Sequence, residues 1–178
     1  LDRSLPMQYV DLVRQILTFD FGRSWSTKQP VTSLIADGLG PSLSLTVPGF
    51  LLSLLLNIPL GLYIAYRRNS ILDKTTMVTC LGMLSFSSVV YVLAGQYILS
   101  YKLGMFPISG WDPTWEGRWH YLALPILILV VLFFGSDLLF FRTVFIDEMY
   151  QDYVRTARSK GVSETRILFK HVLRNGLI

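Results

Sequence analysis

The chain has 178 residues, 52% of them hydrophobic, with 16 basic and 12 acidic residues and a formal net charge of +4. A soluble domain of this length is possible in principle, but the apolar residues are gathered into runs long enough to cross a bilayer, which excludes an ordinary water-soluble core. The positive excess lies beside those runs, so headgroups and membrane orientation account for it and nucleic acid is set aside as a partner. A lone Cys80 inside one run excludes an internal disulfide, lacks the neighbours of a metal site and reads as a small packing residue.

Residues 1–40 are polar, with Arg3, Arg14, Arg23 and Lys28 balanced by Asp2, Asp11, Asp20 and Asp37. Between Pro6 and Phe19 the apolar positions Tyr9, Val10, Leu12, Val13, Ile16 and Leu17 fit a short amphipathic helix. Phe19-Asp20-Phe21-Gly22-Arg23-Ser24 then reads as a turn in a structured extracytoplasmic segment, since Asp20 has no His, Ser or Cys partner at a useful distance.

The first span is expected over about 41–66. Between Val47 and Ala65 only Ser53 and Asn57 are clearly polar, and Pro48 and Pro59 interrupt the run with kinks that neighbouring helices can accommodate. Asn57 reads first as an inter-helix hydrogen-bonding residue and second as lining for a pathway. A short loop with Arg67, Arg68 and Lys74 against Asp73 leads to a second span over about 76–101. It holds Ser85, Ser87, Ser88 and Gln96. Hydroxyls bond their own helix cheaply, so Ser85 is only weak evidence for a channel wall.

Residues 102–120 are rich in Gly, Pro and Trp, and Trp111, Trp115, Trp119 and Tyr121 mark a membrane–water interface. The third span is expected over about 121–145, with Pro125 in its first turn and Asp137 as its one carboxylate. A carboxylate at membrane depth is costly and normally faces protein, water or a partner. Asp137 is therefore expected in an ion pair or hydrogen bond near the boundary marked by Arg142, with a pathway role as the second reading. The loop at 67–75 has three basic residues and the stretch from Arg142 has seven, against two in the tryptophan-rich loop. The positive-inside rule then puts the first two in the cytoplasm and residues 1–40 and 102–120 outside.

The last stretch, DEMYQDYVRTARSKGVSETRILFKHVLRNGLI, is dense in charge. From Asp147 to Lys160 the residues Met149, Tyr150, Tyr153, Val154 and Ala157 share one helical face, opposite Asp152, Arg155, Arg158 and Ser159. Gly161 stops that helix, Ser163 is placed to cap a second one with Glu164 in its first turn, and Arg166, Lys170 and Arg174 form a basic stripe at a spacing of four. Periodicity alone suits a solvated connector lying on the membrane surface.

The wording of this stretch resembles the cytoplasmic loop of permease subunits of bacterial ATP-driven (ABC) importers: Glu-Ala-Ala, three residues, Gly, nine residues, Ile-x-Leu-Pro. Gly161 and Ala157 take the glycine and second alanine positions, while Arg155 and Thr156 replace Glu and Ala, and His171 and Leu173 stand at Ile and Leu. DYVRTARSKG and HVLRN are closer to the dipeptide/oligopeptide branch of that family. NIPLGLYIAYRRNSILDK, LGMFPISG and Asp20-Phe21-Gly22-x-Ser24 are similar to the same branch, so the resemblance covers essentially the whole chain. One departure is Phe86-Ser87-Ser88, where many members have a proline after the serine, which puts the local kink in question.

The resemblance implies an all-α integral membrane protein, a type I importer transmembrane domain with three spans visible, a coupling loop at about 147–163 and the start of a next helix at 164–178. Six-span members carry one span before this region and two after it, which suggests an internal piece. It implies a bacterial inner-membrane location and an ATPase-coupling set of Asp152, Tyr153, Arg155, Thr156, Ala157, Lys160 and Gly161, with Ala157 and Gly161 allowing close approach. Implied partners are a second homologous permease, two cytoplasmic ATPase subunits holding ATP-Mg, an extracytoplasmic solute-binding protein and membrane lipid. The chain has no phosphate-binding Gly-x-x-x-x-Gly-Lys-Ser/Thr sequence and no catalytic constellation. Peptides are the leading cargo, with nickel, glutathione or another small solute as alternatives, and a non-transporting assembly protein as the competing class.

Overall fold

The computed structural model describes residues 4–112 and 114–177, except the side chains of Leu5 and Trp115. Asp2, Arg3, Ile178 and the interfacial side chain expected of Trp115 lie outside the described residues. The described residues form helices and no strand beyond one isolated bridge. Two compact units are distinguishable, residues 1–45 and 46–178.

In the first unit, α1 (Leu5–Leu17) is the expected amphipathic helix, stopped at Thr18, whose N–H and Oγ1 both donate to the Arg14 carbonyl at 2.9 and 2.8 Å. The turn that follows is real. Phe19 and Gly22 take positive φ of 54° and 67°, and Asp20 Oδ1 accepts from Gly22 N at 3.2 Å. A closed loop from Gly22 to Val31, bridged at Arg23 and Pro30, delivers the chain into α2.

Helix α2 (Val31–Tyr66) has 36 residues, about 54 Å of helix, and starts ten residues before the expected boundary. It continues through Pro41, Pro48 and Pro59. Its buried positions Gly49, Ser53, Asn57, Gly61 and Ala65 recur every fourth residue and make a stripe of small and polar groups. That stripe meets α5 (Trp115–Met149). A Cβ on Gly49 would come within 2.8 Å of Leu129 Cδ2, and one on Gly61 within 2.8 Å of Phe141 Cβ. Small residues at such a contact let apolar helices approach closely, which is how membrane helices associate.

The second expected span is broken. Helix α3 (Ile71–Leu84) and the segment from Ser88 to Lys102 meet at 92°. That segment begins as α4 (Ser88–Gly95) and continues as a π-helical stretch over Gln96–Lys102. The absent proline is not needed for the bend. Ser85 Oγ returns to the Leu81 carbonyl at 2.9 Å, Ser87 turns extended at the start of α4, and Tyr91 Oη donates at 2.6 Å to the Met83 carbonyl, which also accepts from Phe86 N.

Helix α5 starts at Trp115, not Tyr121, so residues 115–120 belong to the helix and Pro125 sits well inside it. Thr114 caps it by accepting from Gly117 N at 3.3 Å, and Asp112 Oδ1 in turn accepts from Thr114 N and Oγ1. Trp111 stacks under Arg118 at 4.6 Å. By length and hydropathy α2 and α5 can each cross a membrane, and the bent pair makes a third span if it counts as one. Many Leu, Ile, Val and Phe side chains of these helices are exposed in this chain.

Candidate coupling site

The charged stretch does not form one helix from Asp147 to Lys160. Helix α5 ends at Met149, the chain turns through Tyr150 and Gln151, and a separate helix, α6 (Asp152–Ser159), begins. Tyr150 therefore leaves the shared face expected for it, while Met149, at the end of α5, still packs against the same core as Val154 and Ala157. In eight residues α6 separates two surfaces. Val154 and Ala157 point inward and are buried, while Asp152, Arg155, Thr156, Arg158, Ser159 and Lys160 remain exposed.

The inward face joins a core of Leu62, Ala65, Phe145, Ile167 and Val172, drawn from α2, α5 and the helical segment at 167–172. Burying Val154 alone contributes about 1.5–3 kcal/mol by area. This revises the expected part of Ala157. Its methyl serves packing within the chain and does not lie on the outer face. Tyr153 is half-buried, its hydroxyl donating to Glu148 Oε2. Burial, and then the Glu148 carboxylate, push that phenol above its ordinary value.

Helix α6 ends as the glycine requires. Gly161 has φ +74°, Gly161 N donates to Arg158 O at 2.9 Å and Val162 N to Ala157 O at 3.2 Å, the paired bonds of a Schellman turn. Gly161 is needed for this backbone conformation, and a Cβ there would meet nothing of this chain within 4 Å. Arg158 closes the turn with a two-point ion pair to Glu164 at 2.8 and 3.1 Å. Ser163 stands at the cap position of α7 (Glu164–Arg166), yet its side chain makes no capping bond there. The chain continues as a π-helical stretch, Ile167–Val172, and α8 (Leu173–Gly176).

On the outer face the hydroxyls of Thr156 and Ser159 fold back onto Asp152 O and Arg155 O. The Arg155–Asp152 pair, 3.6 Å apart and exposed, holds little energy of its own. The face thus offers Asp152, Arg155 and Lys160 with their charges open to a partner. Beside it, Ala65, Tyr66, Ile146, Met149 and three arginines, Arg68, Arg155 and Arg158, line a recess of about 260 Å³. Arg68 is fixed there by Tyr150, with Nη1 donating to the phenol oxygen at 2.6 Å and the guanidinium 5.1 Å from the ring centre.

The polar residues expected within the spans come together in part. Ser53 Oγ donates to Asp137 Oδ2 at 2.6 Å, and Asn57 Nδ2 donates to Ser53 Oγ at 2.9 Å. Asn57 is fully buried and its Oδ1 has no partner among the described residues. Asp137 is thus hydrogen-bonded across the α2–α5 contact and not paired with the nearby arginine. Ser85 lies apart from this group, turned to its own helix. Arg142 goes instead to Asp73, a pair not expected from the sequence, although Ser70-x-x-Asp73 carries a capping spacing. Ser70 Oγ accepts from Asp73 N at 3.2 Å, and Asp73 Oδ2 accepts from Asn69 N at 2.9 Å.

Long apolar helices packed through small residues, with a short two-faced helix anchored at one end, define an integral membrane protein of the kind expected from the wording of 150–175. The family described as binding-protein-dependent transport system inner membrane component matches residues 57–178, and the chain belongs to it. Over its full length it is 34% identical to a provisionally named peptide permease of Brucella suis biovar 1. It is 34% identical to a glutathione transport system permease protein of Salmonella typhimurium and 36% to that of Pectobacterium atrosepticum. The chain spans 56–58% of the length of these relatives.

Proposed function

We propose that this chain is part of a permease subunit that forms the peptide pathway of an ATP-driven importer, with α6 as the element that receives motion from a cytoplasmic ATPase. The observation that supports this most directly is the two-sidedness of α6. Val154 and Ala157 lock it into a core shared with α2, α5 and residues 167–172, while its charged side is open. A displacement applied to the open side passes through Val154 and Phe145 to α5 and through Leu62 and Ala65 to α2. The Asp73–Arg142 pair carries it on to α3. Tightly packed cores move as bodies, so the spans tilt together.

On this reading ATP-Mg is bound and hydrolysed by two partner subunits, and this chain performs no chemistry. A second permease subunit completes the pathway, and a solute-binding protein delivers cargo to the face opposite α6. Peptides are the primary cargo, in keeping with the Brucella relative. Glutathione, itself a tripeptide, is the second reading, because the names of two relatives at 34–36% identity specify it. The test is ATP hydrolysis by the full-length permease reconstituted with its partner permease, ATPases and binding protein. Stimulation by short unmodified peptides supports the primary reading, and stimulation by glutathione alone supports the second. Turnover indifferent to both removes the cargo assignment, and no assembly removes the importer role.

A further inference from the structure

The side of the 163–174 segment that faces away from the core carries charge the coupling role does not use. Arg166, Lys170 and Arg174 line one broad, open recess of about 620 Å³ with Ser163, Thr165 and Phe169. All three cations are exposed, and none makes an ion pair or hydrogen bond among the described residues. The nearby carboxylate, Glu164, is already engaged by Arg158. Phe169 stands among the cations with 60% of its surface exposed.

The segment is held against the end of α5. A Cβ on Gly176 would lie 3.0 Å from the Phe145 ring and 3.4 Å from Val144 Cγ1. That sets the turn carrying Arg174 at the level where the apolar run of α5 gives way to charge, the level of lipid headgroups. Ile167 and Val172 are fully buried on the inner side, so the orientation of the stripe is fixed.

We propose that this face binds the phosphate headgroups of anionic phospholipids in the adjoining leaflet, with Phe169 seated at the acyl boundary. Uncompensated cations surrounding an exposed aromatic side chain are the combination that holds a segment to an anionic bilayer surface. An acidic protein surface has use for the cations but not for an exposed phenylalanine at headgroup depth.

The test uses the full-length permease with its partner subunits in phosphatidylcholine vesicles containing a minority of phosphatidylglycerol. Spin-labelled forms of the two lipids report their relative association with the protein. The wild type favours phosphatidylglycerol. Arg166→Gln/Lys170→Gln/Arg174→Gln lowers that preference by about fivefold or more, the worth of about one surface cation. Arg166→Lys/Arg174→Lys keeps it. Phe169→Ala weakens it without changing its salt dependence. An unchanged preference in the triple glutamine variant overturns the proposal. If that variant keeps its lipid preference but no longer retains the ATPase subunits, the face belongs to an acidic protein partner. If inorganic phosphate at constant ionic strength abolishes the preference, the site takes free phosphate and not lipid.

Discussion

Arg142 and Asp73 form a two-point ion pair, Nε to Oδ1 at 2.5 Å and Nη2 to Oδ2 at 2.9 Å, with the Asp73 side chain only 2% exposed. It pins the first turn of α3 to α5, close to the core that holds α6. Removing one partner of a buried pair leaves the other charge stranded, at a cost of about 3–5 kcal/mol. Asp73→Asn and Arg142→Gln are each expected to lower the thermal midpoint of the purified complex sharply. Asp73→Leu/Arg142→Leu together is expected to cost less than either single change. A double variant worse than both singles would contradict the pairing.

Asp137 accepts a hydrogen bond from Ser53 and is expected to act as an acceptor, not as a required charge. Asp137→Asn keeps an oxygen for Ser53, so membrane abundance and transport should stay near wild type. Asp137→Leu leaves the buried Ser53 hydroxyl without its acceptor, at about 1–3 kcal/mol, and should lower the amount of folded protein. Loss of transport in Asp137→Asn with normal abundance would instead place the carboxylate in the pathway.

The bend between α3 and α4 rests on backbone geometry that proline can adopt. Ser87 has φ −64° and ψ 146°, and its N–H bonds to no group among the described residues. Ser87→Pro should therefore be tolerated by the backbone, its gain of about 0.4–1 kcal/mol offset by loss of the hydroxyl that accepts from Val89 N at 3.4 Å, for a net change within about 1 kcal/mol. Tyr91→Phe removes the bond to the Met83 carbonyl and should cost about 1 kcal/mol. Thermal unfolding of the two variants checks both expectations.

Gly161 and Ala157 are both expected to be intolerant, for different reasons. Gly161→Val forces a β-branched residue to φ +74°, a conformation that costs an L-residue about 1–2 kcal/mol, while Gly161→Asn should be milder. Ala157→Trp overfills the core around Phe145 and Val172 and should reduce folded protein by limited proteolysis. If Ala157→Trp is fully folded and only uncoupled, Ala157 faces the ATPase after all.

Much of this arrangement was legible in residue spacing. The amphipathic α1, the glycine stop at Gly161 and the shared face of Val154 and Ala157 all follow from local periodicity and backbone preference, although periodicity did not say that this face turns into the chain's own core. The partners of charged groups were not legible, because they lie 69 and 84 residues apart along the chain: Asp73 with Arg142, and Ser53 with Asp137. The 92° bend was obscured because it forms without a proline, beside local serine bonds and a Tyr91 hydroxyl that reaches back eight residues to the Met83 carbonyl. The stripe Gly49, Ser53, Asn57, Gly61 and Ala65 was readable as a four-residue repeat of small and polar side chains. It marks the face of α2 that meets α5, and it could have been found by looking for small residues rather than polar ones.

The most direct test of the account is peptide-stimulated ATP hydrolysis by the reconstituted full-length importer carrying Asp152→Ala/Arg155→Ala/Lys160→Ala. These side chains lie on the exposed side of α6 and outside its core contacts. The account predicts normal membrane abundance with stimulated turnover reduced by about tenfold, the effect of losing contacts worth about 1.4 kcal/mol at an interface. Stimulated turnover at the wild-type rate, with the protein equally abundant, would contradict the assignment of α6 as the coupling element.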